Sequence, residues 1–215
     1  MSKIRTVDNL QTLLDKELSW RIKEIASIKI LVRRSDSIAS GTAVRAAIPL
    51  LYGHWEGFVK NAATLYLQFV NDQSLKYSEL INCFVVFGIK KKINDIESSM
   101  SSETSIAVVE FLFNEQNKKA KLQIESAIRT ESNLSSKVFS NILKSIGFDT
   151  TKYETRFNLI DESLLKRRNY IAHGEYLDVQ AEGFRELADD VLLMLRWFKD
   201  DIENAVTLKT FMKPA

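Results

Sequence analysis

Apolar residues recur in steps of three and four over most of this chain. Between positions 7 and 32, Leu10, Leu14, Leu18, Ile22, Ile25, Ile28 and Val32 fall along one helical face. This predicts an amphipathic helix that needs a partner. Positions 33–41 are polar, with Ser35, Asp36, Ser37, Ser40 and Gly41, and read as a connection. A second, aromatic stripe of Leu51, Trp55, Phe58, Ala62, Tyr66 and Phe69 predicts a long helix over 42–71. Pro49 lies inside it and removes one backbone donor, so a kink or break is expected near 46–49.

Further helices are predicted near 78–93, 105–114, 118–129 and 135–146. Ser135 or Asn133 is placed to cap the last of these, and Gly147 to end it. The serine-rich stretch 98–105 reads as a mobile loop. Two helices, over 153–173 and 181–205, finish the chain as a hairpin, with Gly174 and Asp178 in the connection. The final helix carries a near-heptad seam of Phe184, Leu187, Val191, Leu195, Phe198, Ile202 and Ala205. That seam packs either within the molecule or across a dimer.

Composition agrees with an all-α chain. Hydrophobic residues make up 45% of the 215 positions, and only seven Gly and two Pro interrupt them, few for a turn-rich β protein. The length suits one compact unit with a substantial core. No apolar run of about eighteen residues occurs, and positions 1–10 lack the apolar stretch and small-residue site of an export signal. A cytoplasmic protein without membrane contact is expected. The lone Cys83 cannot form an internal disulfide, and two histidines with one cysteine do not supply a zinc site. No tight cluster of Asp and Glu suggests Mg²⁺ either, so neither metal nor other cofactor is expected.

Net charge is only +2, so any nucleic-acid affinity must be local. Of three basic clusters, Lys90–Lys92 and Lys118 with Lys119 and Lys121 read as solvated helix faces. The third opens the segment Lys166-Arg167-Arg168-Asn169-Tyr170-Ile171-Ala172-His173-Gly174, which sets Arg168, Asn169 and one of only two histidines within six residues. Arg168 interrupts the apolar row of Phe157, Ile160, Leu164 and Ile171, and a cation on a core-facing edge costs stability unless it is satisfied. On an ideal helix Asn169 and His173 stand about 40° apart and Arg168 and His173 about 140° apart. The three therefore converge only through the reach of arginine or a frayed last turn before Gly174.

The pattern Arg168-Asn169-x-x-x-His173 resembles the Arg-x4-6-His signature of the HEPN superfamily. Tyr52-Gly53-His54-Trp55-Glu56-Gly57-Phe58-Val59-Lys60 and Ser132-Asn133-Leu134-Ser135 resemble landmarks of a prokaryotic, MAE-type HEPN-like nuclease subgroup. The likeness spans roughly 43–202. It implies an HEPN-like antiparallel helical bundle with additional helices in the N-terminal and middle regions. The whole chain, 1–215, would be a single such domain: a helix and connection over 1–41, the bundle over 42–205 and a tail over 206–215.

The resemblance also implies a metal-independent endoribonuclease acting on RNA as a homodimer, with an antitoxin or defence-system partner. Arg168, Asn169 and His173 would be catalytic, and Lys166 and Arg167 would bind phosphate or RNA. Glu56 would be the acidic partner of Arg168, or else an ordinary i, i+4 pair with Lys60. Tyr176 follows the histidine by three residues, where some relatives place a tyrosine two after it, and would support an RNA contact. Metal-free cleavage through 2′-OH attack uses a base, an acid and charge stabilisation, and one chain supplies one motif histidine. Two copies across a two-fold axis would complete the set. The same residues also suit a noncatalytic helical dimer that binds nucleotide, RNA or a partner protein.

Overall fold

The computed structural model describes residues 3–34, 37–99, 101–131, 133–177 and 180–214. Its helices are α1 (Val7–Arg34), α2 (Ser37–Asp72), α3 (Asn82–Ser99), α4 (Ser102–Asn114), α5 (Ser136–Ser145), α6 (Thr151–Glu154), α7 (Arg167–Ala172) and α8 (Ala181–Thr207). A 3₁₀ turn occupies Tyr77–Glu79, and a π-helical stretch over Leu159–Lys166 runs directly into α7. Among the described residues there is no strand, and the all-α expectation holds.

The three long helices α1, α2 and α8 pack on one another and bury the predicted stripes. Trp55 and Phe58 are fully enclosed, and Phe139 of α5 meets Trp55, Tyr153 and Phe198 at ring separations of 4.8, 5.0 and 5.9 Å. The α8 seam is buried inside the molecule, which decides its packing in favour of the internal alternative. The last residues return to the body: Phe211 is buried against Phe69, and its carbonyl accepts from the Ile81 amide at 3.1 Å.

Five local expectations need correction. The connection expected over 33–41 is mostly helix, since α1 reaches Arg34 and α2 begins at Ser37; Ser35 and Asp36 lie outside the described residues. Buried Val44, Ala47 and Ile48 anchor the start of α2, and such packing outweighs the weak propensities of Ser and Gly. Nor does α2 break at Pro49, whose ring costs the hydrogen bond to the Arg45 carbonyl while Ile48 and Leu51 stay buried around it. The mobile loop expected over 98–105 is mostly helix, because α3 runs through Ser99 and α4 starts at Ser102; Met100 lies outside the described residues.

The helix expected over 118–129 is instead an extended strap. Tyr77 donates to the Lys118 carbonyl at 3.2 Å, Ala120 to Leu75 at 2.8 Å and Gln123 to Phe87 at 3.0 Å. Buried Ala120 and Leu122 alternate with exposed Lys119, Lys121 and Gln123, a period of two that marks extended chain. The single helix expected over 153–173 is likewise divided into α6, a turn, the π stretch and α7. A π stretch closes wider turns, so it re-aims the side chains that follow it.

Helix ends follow the predicted chemistry. Ser135 Oγ accepts from the Val138 amide at 3.3 Å and caps α5. Gly147 and Gly174 take φ of +81° and +79°, and each closes a Schellman motif. Phe148 donates to Leu143 at 2.9 Å and Gly147 to Lys144 at 3.2 Å, while Glu175 donates to Tyr170 at 2.9 Å and Gly174 to Ile171 at 3.1 Å. Asp178, expected in the final connection, lies outside the described residues. Among the described residues no helix is long and apolar enough to cross a membrane.

Candidate functional site

Arg45, Tyr52 and Glu56 follow one another on α2 at i, i+7 and i+11, a single stripe within about 40°. The stripe carries polar tips beside the buried face of the helix formed by Ile48, Leu51, Trp55 and Phe58. The Tyr52 hydroxyl accepts from the Leu134 amide at 2.6 Å and donates to Glu56. Burial, aided by Glu56 and opposed by the Leu134 amide and Arg168, pushes this phenol up to about 12, so it remains a donor at neutral pH. Glu56 Oε1 also accepts from Thr130 Oγ1 at 2.5 Å, which ties α2 to the end of the strap.

Arg168 enters this frame from α7. Its guanidinium lies over the Tyr52 ring, 4.3 Å from the centroid, and its Nη1 donates to Asn169 Oδ1 at 2.7 Å. The ring face and the amide offset the cost of holding a cation on a core-facing edge. Glu56 thus reaches Arg168 through Tyr52. The ring beneath the guanidinium has its own hydroxyl held by a carboxylate, so Arg168 sits on a surface anchored to α2.

His173 caps α7, with its amide donating to the Asn169 carbonyl at 2.9 Å, and its imidazole is exposed. Asn169 and His173 line a shallow groove of about 260 Å³ together with Asp161, Lys166, Tyr170 and Glu175. Arg168 is turned toward Tyr52, as the wide angle between it and His173 on a helix requires. Asn169 joins the two halves of the motif, its oxygen bonded to Arg168 and its side chain in the histidine groove.

The flanking residues divide in the same way. Lys166 is paired with Glu162 at 2.7 Å, and that hydrogen bond raises its pKa. Arg167 is half-buried. Tyr176 is 83% exposed, with the Arg45 guanidinium 5.5 Å from its ring centroid. Arg45 also donates to the Glu175 carbonyl at 3.2 Å, so α2 holds the loop that follows the motif. His54 belongs elsewhere: it points at α1, packs on Trp20 at 5.2 Å and lies 3.2 Å from Glu24 Oε2. Among the described residues no three or more His, Cys, Asp or Glu side chains gather as a metal site.

Three contributors carry no mark in the motif pattern: Tyr52, Arg45 and Thr130. The i, i+7, i+11 spacing on α2 was a visible signal for the first two. Thr130 offered none, because its role depends on the path of the strap. Ser132, part of the second sequence landmark, lies outside the described residues.

No curated protein and no solved structure matches the chain. A family model does, over residues 16–204, and it takes in α2, the strap, the motif and most of α8. The match reaches the HEPN superfamily and does not by itself reach the MAE-type subgroup. By its all-α architecture and by a match over most of its length, the chain belongs to the RiboL-PSP-HEPN family.

Proposed function

We propose that this HEPN protein is a cytoplasmic, metal-independent endoribonuclease whose site is completed by a second copy of the chain. The observation that carries the reading is Arg168, held over the Tyr52 ring and bonded to Asn169 on the helix that ends at the exposed His173. The planar fork of a guanidinium suits the non-bridging oxygens of a phosphodiester. As the RNA 2′-OH attacks the adjacent phosphorus, Arg168 stabilises the growing charge on the non-bridging oxygens. His173 takes the 2′-OH proton, and His173 of the second copy protonates the leaving 5′ oxygen. The products are a 2′,3′-cyclic phosphate and a 5′-OH.

In this reading Asn169 orients the arginine, Lys166 and Arg167 steer flanking phosphates, and Tyr176 with Arg45 offers a base a stacking surface. Glu56 acts through Tyr52 as a positioning residue. An effector of toxin–antitoxin or antiphage defence, restrained by a partner, is the biological role this chemistry suits.

A noncatalytic dimer that binds nucleotide or RNA is the second reading. It is favoured by Asn169 Oδ1 accepting from Arg168, a bond that organises the cation and not the exposed imidazole. Purified protein incubated with an RNA pool in EDTA separates the two. Cleavage that disappears in both Arg168→Ala and His173→Ala supports the enzyme. Uncut RNA whose binding weakens in those variants supports the binding module, and cleavage indifferent to both rejects the assigned site.

A further inference from the structure

A pocket of about 410 Å³, lined by none of the motif residues, lies between α3, α5 and the end of the strap. Lys90, Arg129 and Lys144 line it, with Glu131, Cys83 and Phe87. This volume lies in the usual range of small-ligand sites, roughly 300–1,000 Å³. Lys90, which the sequence placed on a solvated face, is half-buried here: its Nζ donates to the Ala127 carbonyl at 3.2 Å and sits 5.6 Å from the Phe87 ring centroid.

The charge of the pocket is poorly balanced. Three cations face one carboxylate, and among the described residues none of the three is in an ion pair. Burial, and then the proximity of Arg129, hold the Lys90 ammonium below its ordinary pKa. Burial also pushes the Cys83 thiol up to about 11, so it adds no negative charge at neutral pH. Holding like charges together at a partly desolvated site is unfavourable, and an anion between them relieves the strain.

We propose that Lys90, Arg129 and Lys144 form a phosphate-binding subsite distinct from the Arg168–His173 motif. It takes a phosphate of single-stranded RNA or of a free nucleotide. Arg129 also lines the adjoining cavity of about 880 Å³ with Lys60, Asn61 and Gln68, and the next residue, Thr130, bonds Glu56 beneath the Tyr52–Arg168 stack. A strand held at the motif can therefore continue along the strap to Arg129. The subsite goes beyond the cleavage reading, because binding there needs no chemistry at His173.

The test titrates a fluorescent, 2′-O-methylated single-stranded RNA, which 2′-OH attack cannot cut, and separately ADP. Both go into wild type, Lys90→Gln, Arg129→Gln and Lys144→Gln. Arg129 and Lys144 are exposed, so their variants keep the fold, and thermal melting checks Lys90→Gln. RNA affinity is expected to fall about tenfold in Arg129→Gln and Lys90→Gln. The slope of log affinity against log salt should become shallower by about 0.7 for each RNA phosphate that a variant no longer neutralises.

Weakened ADP binding with unchanged RNA binding identifies the free nucleotide as the phosphate source and keeps the subsite. Unchanged affinity for both ligands in all three variants, or no binding of either by wild type, overturns it. A protein that cuts no RNA in EDTA yet loses ligand affinity in Arg129→Gln rejects the nuclease reading and retains this one.

Discussion

In the proposed reading Arg168 serves packing and chemistry together. Its guanidinium covers Tyr52, whose hydroxyl bridges Leu134 and Glu56. Tyr52→Phe keeps the ring beneath Arg168 but strands the Leu134 amide, so urea denaturation should show a loss of about 1–3 kcal/mol. Arg168→Lys removes the flat surface that stacks, and RNA cleavage should fall toward the level of Arg168→Ala, about 10²-fold or more below wild type. His173 contrasts with both, because its imidazole is exposed. His173→Ala should leave the melting temperature within a degree or two on the scale expected of surface changes, while cleavage disappears.

His54 offers a pH test that is independent of catalysis. Burial, with Arg21 adding to it, lowers its pKa from 6.5 in spite of Glu24 nearby. The folded state then binds a proton less readily than the unfolded chain does, so protonation favours unfolding. Its contribution is complete above the unfolded value and is lost as pH falls through the folded one. The urea midpoint should drop between pH 7 and pH 5 by more in wild type than in His54→Asn. Equal drops would assign the acid sensitivity to other groups.

At the scale of elements, the two Schellman glycines make a matched pair. Both adopt left-handed φ, where a Cβ costs about 1–2 kcal/mol. A Cβ at Gly174 meets nothing within 4 Å, whereas one at Gly147 comes within 2.8 Å of Ile81 Cδ1. Gly147→Ala should therefore destabilise the protein more than Gly174→Ala in thermal melts. Gly174→Ala should instead show its main effect on cleavage, because that turn sets where His173 leaves α7. The π stretch ahead of α7 has a related role, fixing the register in which Arg168 arrives over Tyr52.

At the scale of the whole molecule, the core is built where α1, α2 and α8 meet, and the motif lies at its edge on α7. Phe198→Ala removes a ring that packs on Phe58, Phe139 and Phe148, and should cost about 3–5 kcal/mol in urea denaturation. The composite-site reading makes its own prediction at this scale. Cleavage per chain should rise with protein concentration below the dimer dissociation constant. Mixing wild type with an excess of His173→Ala should suppress the activity of the wild-type chains, since a mixed pair holds one His173 where the reaction uses two. Strict proportionality to concentration, with no suppression on mixing, would place a complete site in one chain.

The long helices were legible in the sequence because burial of one face imposes a 3.6-residue period, as in the stripes of α1, α2 and α8. The helix ends at Ser135, Gly147 and Gly174 were legible because caps and left-handed turns demand particular residues locally. The separation of Arg168 from His173 also followed from helical geometry. The strap over 118–129 was not legible as such, because its backbone bonds go to Leu75, Tyr77 and Phe87, far away in sequence. Tertiary structure alone brought Tyr52 under Arg168 and Thr130 to Glu56, and turned Lys90 and Arg129 into one pocket. A sequence displays the periods and caps that each segment satisfies by itself; which side chain meets which across the fold is decided only when the segments pack.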